Sequence, residues 1–329
     1  MMWHWLFLTV IFSPLLVLFV LRFYLRKTRW CTSKRRLDGR TAVITGSSGG
    51  TGKAIALDLA KRGCKVILAC RNPIKAQAAV NEIRKLSSSS NVHFMKLDLA
   101  SLRSVRYFVK EFESLEDRLD LLINNAGYLG PRSITEDGFE RSLAVNYLGH
   151  FLLTNLLLPK LKASAPSRII NVSSDAFLKN SCTLDLEDPH YEKNPESYTY
   201  YGAYGRSKLA VMLFTAELAK TLDGTRVIPL SVHTGPVKSD LLRSWPGFGG
   251  FLLRLVAFLC FRSTTEGAQT PLHAALSDGM DDFTGCFIVD CQVHELPAHV
   301  KDKQMAQKLW AWSEAVCDIK IENGTATYA

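Results

Sequence analysis

A glycine-rich segment, Thr45–Gly52, stands directly between a short apolar run and a stretch with helical spacing. The apolar run, Thr41–Thr45, predicts a buried strand, and Gly52–Arg62 carries its apolar side chains at helical intervals. Glycines at such a junction let the chain turn tightly, and they let the free N–H groups of the helix N-terminus approach a pyrophosphate. The segment therefore predicts a dinucleotide-binding fold, with an ordinary turn of small residues as the alternative.

The rest of the chain repeats the order of one strand followed by one helix. The further predicted strands are Lys65–Ala69, Val92–Leu97, Leu119–Ile123, Arg168–Val172, Val227–Val232 and Phe287–Val289. The further predicted helices are Pro73–Leu86, Leu102–Leu115, about Phe139–Leu161, and Tyr204–Leu222. Strands that alternate with helices of this length indicate a parallel sheet. We therefore expect an α/β fold, a Rossmann-type doubly wound parallel sheet of about seven strands with helices on both faces.

The first 36 residues differ in composition from the rest. Residues 1–21 carry no charged side chain, and as a helix of roughly 31 Å they are long enough to cross a bilayer. Residues 22–36 hold seven Lys or Arg and no acid, and basic residues beside a span face the cytosol. The sequence predicts a membrane anchor over 1–21, a basic juxtamembrane linker over 22–36 and one domain over 37–329. Pro14 leaves an in-plane or hairpin insertion open, and the missing basic n-region disfavours a cleaved signal peptide.

Charge and cysteine content exclude several classes of function. The net charge is +9, but removing the seven basic residues of the linker from 40 Lys and Arg leaves 33, against 31 Asp and Glu. A nearly neutral body offers no basic surface for nucleic acid. Eight cysteines without a C-x-x-C pair or a Cys/His cluster give neither a disulfide framework nor a metal site. We therefore expect no nucleic-acid partner and no metal.

The end of the second predicted strand bears on the choice of cofactor. It reads Ala69-Cys70-Arg71-Asn72. A dinucleotide fold that prefers NAD places an acidic residue here for the ribose 2′-hydroxyl, whereas an arginine accommodates the 2′-phosphate of NADP. Arg71 therefore favours NADP(H), and a solvated arginine at a strand end is the alternative.

Tyr204 and Lys208 stand four residues apart in a predicted helix, so that one side chain lies above the other. An ammonium close to a phenol stabilises the phenolate and lowers the tyrosine pKa from about 10 toward neutrality. Such a tyrosine exchanges a proton with a carbonyl or alcohol oxygen while a hydride moves to or from a nicotinamide. Ser174 follows the strand Arg168–Val172, at the sheet edge where ligands bind, and its hydroxyl can hold the same oxygen. Tyrosine and lysine at this spacing are also common surface neighbours, so the pair gains its weight from the glycine segment upstream.

Five motifs in order make the chain similar to the short-chain dehydrogenase/reductases over residues 38 to about 320. They are T-G-x-x-x-G-x-G at Thr45–Gly52, N-N-A-G at Asn124–Gly127, Asn146 in V-N-Y-L-G-H, Ser174 in N-V-S-S, and Tyr204 with Lys208. Further segments, together with the N-terminal apolar run, resemble the microsomal retinol dehydrogenases of that family. These segments are Leu68–Asn72, Leu148–Thr154, Tyr204–Ala210 and Leu309–Ser313.

The resemblance implies a role for each matched residue. Tyr204 is the implied acid/base, and Lys208 is implied to bind the nicotinamide ribose and to lower the pKa of Tyr204. Ser174 is implied to orient the substrate oxygen, and Asn146 to hold a water of the proton relay. The implied cofactor residues are Gly46, Ser48, Gly50, Thr51 and Gly52 at the pyrophosphate, Arg71 at the 2′-phosphate, Asp98 at the adenine and Asn125 at the adenosine ribose. Ser173 competes with Ser174, which we choose because the family places its serine second in such a pair.

An apolar segment, Trp245–Phe261, follows the sixth predicted strand, where the family carries its substrate lid. It is short for a membrane span, and Arg254 interrupts it. It suits an apolar lid that dips into the bilayer and admits a lipophilic substrate. A buried core helix or a dimer helix is the alternative. The family's Pro-Gly appears here as His233-Thr234-Gly235-Pro236, which leaves the geometry over the nicotinamide open.

Together these features favour an NADP(H)-dependent, membrane-anchored oxidoreductase that interconverts a lipophilic alcohol and its aldehyde or ketone, with retinol and retinal first. The alternatives are a steroid or long-chain acyl carbonyl reductase of the same fold, and a non-catalytic, NADP-binding membrane scaffold. The expected location is the endoplasmic reticulum membrane, with a single span and the catalytic domain, 37–329, facing the cytosol. The sequence leaves a homodimer open.

Overall fold

A computed structural model describes most of the chain. The described residues are 17, 20, 22, 23, 27–178, 182–238, 247–297, 300–322 and 325–328. One sheet of eight strands forms the centre of this part. Its strands are β1 (Thr41–Thr45), β2 (Lys65–Cys70), β3 (Val92–Lys96), β4 (Leu121–Asn124), β5 (Ser167–Val172), β6 (Val227–His233), β7 (Phe287–Val289) and β8 (Gln292–His294).

The strands are hydrogen-bonded in the order β3-β2-β1-β4-β5-β6-β7-β8. The first seven are parallel, and β8 alone runs antiparallel, in a hairpin with β7. Every predicted strand is present, with its ends within two residues of the prediction. The Rossmann-type sheet of about seven parallel strands is thereby confirmed. The strand order reverses between β1 and β4, and ligands of such sheets bind outside the carboxyl ends of the strands at that point.

Helices cover both faces of the sheet. They are α1 (Gly50–Lys61), α2 (Pro73–Ser87), α3 (Leu102–Leu115), α4 (Gly149–Ala163), α5 (Tyr200–Thr221), α6 (Gly247–Cys260), α7 (Gln269–Leu276) and α8 (Lys303–Val316). Successive residues of a strand point to opposite faces. Accordingly Val43 of β1 packs in one buried cluster with Phe151 of α4, and Ile44 packs in the other with Ile55 of α1. Burial on both faces explains why β1 is a continuous apolar run.

Two helices differ from their predicted extents. Helix α5 begins at Tyr200 rather than at Tyr204, because the Thr199 side chain accepts a hydrogen bond from a main-chain N–H of the first turn. The predicted helix over 139–161 is also interrupted. It is α-helical over Arg141–Leu143, π-helical over Ala144–Leu148, and continues as α4. A π turn is rare and is frequent at functional sites.

The chain after α8 forms a second, two-stranded antiparallel sheet that the sequence did not predict. It consists of β9 (Ile319–Glu322) and β10 (Thr325–Tyr328). Tyr328 pairs with Ile319, and Ile319 is buried in the same cluster as α4 and α8. This hairpin therefore closes one end of the core on the face that carries the catalytic helix predicted from the sequence.

The N-terminal region is described only in part. The predicted anchor over 1–21 lies outside the described residues except for Val17 and Val20, which are helical. Within the described ranges, no helix combines the length and apolarity that a bilayer crossing requires. The linker from residue 27 onward is docked on the domain. Cys31 N–H donates to Gln269 of α7 at 3.1 Å, and the Ser33 hydroxyl donates to the last carbonyl of the same helix at 3.0 Å.

Candidate active site

The turn after β1 requires the glycines that the sequence places there. Gly46 has a φ of +64°, and a Cβ at this residue would lie 2.8 Å from the Cα of Ala126, in the turn that follows β4. A Cβ on Gly52 would lie 2.5 Å from Nδ2 of Asn125 in that same turn. The two turns press together where the strand order reverses, so that only glycine fits between them.

Helix α1 begins directly from this turn, and no described side chain caps it. Gly49 precedes the helix in an extended conformation, Gly50 opens it, and its first turn contains no acidic residue. Free N–H groups and the positive end of the helix dipole favour an anion at this place. Ser48 is half-buried in the turn. Thr51 lies in the first turn of α1, and its hydroxyl would be 3.4 Å from a Cβ placed at Gly267.

Three more predicted cofactor residues follow the carboxyl ends of neighbouring strands. Arg71 is exposed after β2. Asp98 is half-buried after β3, and one carboxylate oxygen accepts the Ala100 N–H at 3.0 Å. Asn125 follows β4, and its amide donates to the Thr45 carbonyl at 2.9 Å. The structure therefore places all three along the predicted edge, and it also shows that Asn125 braces the glycine turn.

These features fit a bound dinucleotide. The turns after β1 and β4 form a nucleotide cradle, in which a Cβ on Gly46 or Gly52 would occupy the space between them. The N-terminus of α1 beside this cradle is open to an anion, and the exposed Arg71 follows β2. Phosphate groups are bound by main-chain N–H groups at such helix starts. The residues that would hold the pyrophosphate are those of the turn from Gly46 to Gly52.

Ser174, Tyr204 and Lys208 meet at the same sheet edge, between β5 and α5. Lys208 is only 2% exposed, and its ammonium donates to the Val172 carbonyl at 2.7 Å. That nitrogen lies 5.5 Å from the centre of the Tyr204 ring. Ser174 lies close enough to Tyr204 to lower the pKa of its hydroxyl, and the Ser174 hydroxyl itself donates to Asp175 Oδ1 at 3.3 Å and accepts the Ala176 N–H at 3.2 Å. The structure thus brings together the three side chains that carried the prediction of proton transfer.

Ser173, the competing serine, has a different partner. It is buried, and its hydroxyl donates to the main-chain carbonyl of Lys208 at 3.0 Å. This bond ties the residue after β5 to α5 and uses the proton of the hydroxyl. The geometry therefore favours Ser174 as the serine of the site.

The electrostatics of the pair differ from the expectation drawn from the sequence. We expected Lys208 to lower the pKa of Tyr204. In the protein alone, burial raises the pKa of Tyr204 above its ordinary value, and the hydrogen bond with Ser174 opposes this only in part. Burial also lowers the pKa of Lys208 to about 7. A lysine that is only partly protonated at neutral pH stabilises a phenolate weakly.

Asn146 lies in the π turn, and its amide is fully used within the protein. Its Nδ2 donates to the Ser207 hydroxyl at 2.8 Å and to the Tyr128 carbonyl at 3.0 Å, and its Oδ1 accepts the Tyr128 N–H at 2.6 Å. The remaining polar group is the main-chain carbonyl, which faces the ring of His150 at 3.1 Å. That Asn146 holds a water of the proton relay stays a prediction.

The sequence did not reveal a group of charged side chains beside Ser174. His233 ends β6 with Nε2 3.7 Å from a carboxylate oxygen of Asp175, and its Nδ1 is buried without a hydrogen-bond partner among the described residues. Burial lowers the pKa of His233. Arg262 forms an ion pair with Asp290 at 2.7 Å, and both act on the charge state of this histidine. Only the adjacency of Asp175 to Ser174 could have signalled the group, because its other members come from separate elements.

Arg262 also holds the segment that replaces the family's Pro-Gly. Its side chain donates to the Thr234 carbonyl at 3.3 Å, and its main-chain N–H donates to the Pro236 carbonyl at 2.8 Å. Lys238 N–H returns a bond to the Arg262 carbonyl at 2.9 Å. The two ends of the lid, at 236–238 and at 262, are therefore fastened to each other beside the site.

The apolar lid segment forms α6 over the residues described, and positions 245 and 246 lie outside them. Several of its large apolar side chains are exposed, among them Leu255 at 46% and Phe258 at 67%. A helix that exposes these side chains is not a core helix, so the core-helix alternative is wrong. That this segment is a substrate lid, or that it forms a dimer interface, stays a prediction.

Comparison with known proteins gives concordant results. The family model described as short chain dehydrogenase matches residues 40–184. Dehydrogenase/reductase SDR family member 13 of Bos taurus is 44% identical over 308 residues, which cover 93% of this chain and 80% of that protein. Retinol dehydrogenase 12 of Mus musculus is 42% identical over 296 residues, 89% of this chain and 90% of that protein.

Two solved structures are similar in fold. An uncharacterized protein from Mycobacterium paratuberculosis has a TM-score of 0.70 and 33% identity, covering 88% of this chain and 98% of that one. A short chain dehydrogenase from Escherichia coli CFT073, solved as a complex with NADPH, has a TM-score of 0.58 and 22% identity, covering 77% of this chain and 97% of that one.

Proposed function

Because the chain belongs to the short-chain dehydrogenase/reductase family, in the branch of the retinol dehydrogenases, we propose that it is an NADP(H)-dependent oxidoreductase of lipophilic alcohols and their carbonyls. The relatives support an enzyme that interconverts an alcohol and a carbonyl. Retinol and retinal are the first candidates for the substrate, because several relatives are named as retinol dehydrogenases. A steroid or long-chain acyl carbonyl is the alternative substrate.

The observation that carries the proposal is the meeting of Ser174, Tyr204 and Lys208 beside the glycine turn. A carbonyl oxygen placed between the Ser174 and Tyr204 hydroxyls accepts a hydrogen bond from each. As the carbon receives a hydride, the Tyr204 hydroxyl gives its proton to the oxygen, and the developing alkoxide becomes an alcohol. Bound NADPH supplies that hydride. Lys208, one helical turn away, stabilises the phenolate that remains when its amine is protonated, and the phosphate groups of a bound dinucleotide would favour that form.

The preference for NADP(H) is supported by the chain between β2 and α2. Arg71 is exposed there, no acidic residue stands beside it, and Asn72 is occupied as the cap of α2. A 2′-phosphate would meet a guanidinium and no repelling carboxylate. The short chain dehydrogenase from Escherichia coli CFT073, which is similar in fold, was solved with NADPH bound.

The lipophilic substrate and the membrane location are supported by one surface. Helix α6 presents exposed apolar side chains, and Arg22, at the end of the apolar N-terminal run, donates to the Leu259 carbonyl of this helix at 2.8 Å. Arg22 and the lid thus lie on the same side of the molecule. We propose a single-pass anchor over 1–21 in the endoplasmic reticulum membrane, with the catalytic domain on the cytosolic side and the lid at the bilayer surface. A homodimer through the lid is the competing arrangement.

The test is NADPH oxidation by the full chain in detergent or vesicles. All-trans-retinal, a 17-ketosteroid and a medium-chain aldehyde are offered separately, and we expect turnover with retinal. Tyr204→Phe is expected to lose activity by a factor on the order of 10² to 10⁴ while NADPH fluorescence still reports binding. Turnover of the ketosteroid alone would move the assignment to the alternative substrate. Binding of NADPH without turnover of any of the three would indicate the non-catalytic scaffold instead.

A further inference from the structure

His150 lies between Thr45 of the glycine turn and Asn146 of the π turn, and the chemistry described above gives it no role. It stands in the first turn of α4, directly after the π turn, and is 4% exposed. Its Nε2 lies 2.8 Å from the Thr45 hydroxyl, and its Nδ1 lies 3.1 Å from the main-chain oxygen of Asn146. The ring therefore joins the last residue of β1 to the main-chain carbonyl of Asn146 in the π turn.

The neighbouring donors and acceptors determine where the imidazole proton lies. The Asn146 oxygen is an acceptor only, so Nδ1 must carry the proton and donate it. The Thr45 oxygen already accepts the N–H groups of Asn125 and Ala126, each at 2.9 Å. Its own proton has two acceptors within reach, the Ile123 carbonyl at 3.5 Å and Nε2 at 2.8 Å, and the shorter contact favours donation to Nε2 of the neutral ring. Every group is satisfied by the neutral Nδ1–H tautomer, and burial keeps the ring neutral by lowering its pKa to about 3.

Each ring nitrogen reaches a different part of the site. Through Thr45, Nε2 acts on Gly46, the next residue, and on the turn that presses against it. Through the Asn146 carbonyl, Nδ1 acts on the π turn, which is bonded to Ser207 beside Lys208. One side therefore belongs to the nucleotide cradle and the other to the catalytic helix.

We propose that His150 is a positioning residue for the reaction, a role that rests on the proposed oxidoreductase function. In the neutral Nδ1–H form, Nδ1 fixes the position of the Asn146 carbonyl, and Nε2, through Thr45, fixes the position of the nucleotide cradle. Two kinetic parameters then separate. The value of kcat depends on the bond to Asn146, and the KM for NADPH depends on the bond to Thr45.

The chain itself supplies the variant that keeps one bond and removes the other. In the same helix, Asn155 Nδ2 donates to the carbonyl of Phe151, four residues earlier, at 2.8 Å. An asparagine at 150 can make the same bond to Asn146, but it is too short to reach Thr45. His150→Phe keeps the ring shape and removes both bonds. Thr45→Val removes the bond to Nε2 together with the two bonds that the hydroxyl accepts from Asn125 and Ala126, and Thr45→Ser keeps all three.

The kinetic test compares these four variants with the full-length enzyme. His150→Asn is expected to raise the KM for NADPH several-fold with kcat within about twofold of wild type. His150→Phe is expected to raise this KM equally and to lower kcat in addition by about tenfold. Thr45→Val should raise this KM further, because it also leaves the N–H groups of Asn125 and Ala126 without their acceptor. Thr45→Ser stays near wild type. If the Asn and Phe variants lose kcat alike, in proportion to a drop in Tm, His150 is a structural residue and the proposal is wrong.

A spectroscopic readout keeps the test independent of turnover. In ¹⁵N-histidine-labelled protein, the signals that vanish in His150→Asn belong to His150. They should show a protonated Nδ1 and an unprotonated Nε2, unchanged between pH 5.5 and 8. A ring protonated at Nε2 would overturn the proposal even if the enzyme is active. The correct tautomer together with inactivity of the wild type toward every carbonyl would instead contradict the proposed function. His273→Asn is the matched control, because the His273 ring contacts Ser277 at the end of α7 at 2.8 Å, away from the site. It should leave the His150 signals and both kinetic parameters unchanged.

Discussion

At the scale of single residues, Lys208 carries the largest electrostatic consequence. Its pKa is lowered from 10.5 to about 7 because burial disfavours the charged ammonium. The side-chain nitrogen donates to the Val172 carbonyl. A buried ammonium costs free energy, and a ligand that brings negative charge close to it offsets part of that cost. A dinucleotide with phosphate groups is therefore expected to raise the protonated fraction of Lys208, which the phenolate of Tyr204 needs.

The lowered pKa of Lys208 gives a stability prediction with a definite sign. In the unfolded chain the lysine keeps its ordinary pKa of about 10.4. Between pH 7 and about 10 the unfolded state therefore binds more protons at this position than the folded state, and stability rises with pH. The slope reaches up to about 1.4 kcal/mol per pH unit for one proton. Tm measured from pH 7 to pH 9 should rise more in wild type than in Lys208→Met.

The control for this measurement is Lys220→Met, which removes an exposed lysine paired with Glu217 at 2.5 Å. Its Tm should follow wild type across the same pH range. Parallel Tm curves for wild type and Lys208→Met would mean that Lys208 is not desolvated in the folded protein.

Arg71 gives the second residue-scale prediction. Arg71→Asp reverses the charge at the end of β2, where the 2′-phosphate of NADP is expected. The KM for NADPH should rise by a factor of at least about ten, since a charged hydrogen bond of roughly 1.5–3 kcal/mol is lost and a repulsion is added. The KM for NADH should stay the same or fall. Lys85→Asp, an equal charge change at an exposed site in the last turn of α2, should change neither value.

At the scale of elements, the glycine turn permits a matched pair of substitutions. Gly46 and Gly39 both have positive φ, +64° and +72°, so alanine is strained by a similar amount at either. A Cβ meets the backbone of Ala126 at 2.8 Å in the first case and nothing within 4 Å in the second. We expect Gly39→Ala to lose about 1–2 kcal/mol of unfolding free energy and to bind NADPH normally. Gly46→Ala should lose more and should bind NADPH weakly. Equal losses of stability and binding in both would show that the two turns are not tightly packed.

The regular elements could be predicted because local pattern decides them. Apolar runs such as β1, buried on both faces, and the helices between them are visible in the sequence. The π turn at Ala144–Leu148 could not be predicted, since it depends on where the Asn146 side chain finds its partners in other elements. The early start of α5 could have been found from Thr199, a residue type that commonly caps helices.

The site divides in the same way. Tyr204, Lys208 and Ser174 were found because their spacing and their place after a strand are local features. The group around His233 was missed because its partners, Arg262 and Asp290, come from distant parts of the chain. The pKa values could not be derived either, since the burial of Lys208 by β5 is a property of the folded protein.

At the scale of the whole molecule, the apolar lid and the N-terminal region lie on one side. The Arg22 side chain contacts α6 at its Leu259 carbonyl, and the chain from Cys31 to Ser33 then follows α7 along the domain. The linker from Cys31 to Ser33 is therefore bound to the domain. A span in the bilayer would consequently hold the lid at a fixed position relative to the membrane surface, and the ammonium of Lys238, 4.9 Å from the Phe258 ring, would lie near the headgroups.

This arrangement predicts how substrates gain access. If α6 rests on the bilayer, replacing Leu255 and Phe258 by serine removes apolar contacts worth roughly 1.5–3 kcal/mol each when fully buried. In vesicles, kcat/KM for membrane-dissolved retinal should fall by about tenfold or more, while kcat/KM for a short water-soluble aldehyde stays constant. Ile74→Ser, which removes an apolar side chain 81% exposed on α2, is the control and should change neither value. A double variant that lowers the mass of the protein in sedimentation while both substrates keep their kcat/KM would assign α6 to a dimer interface instead of the membrane.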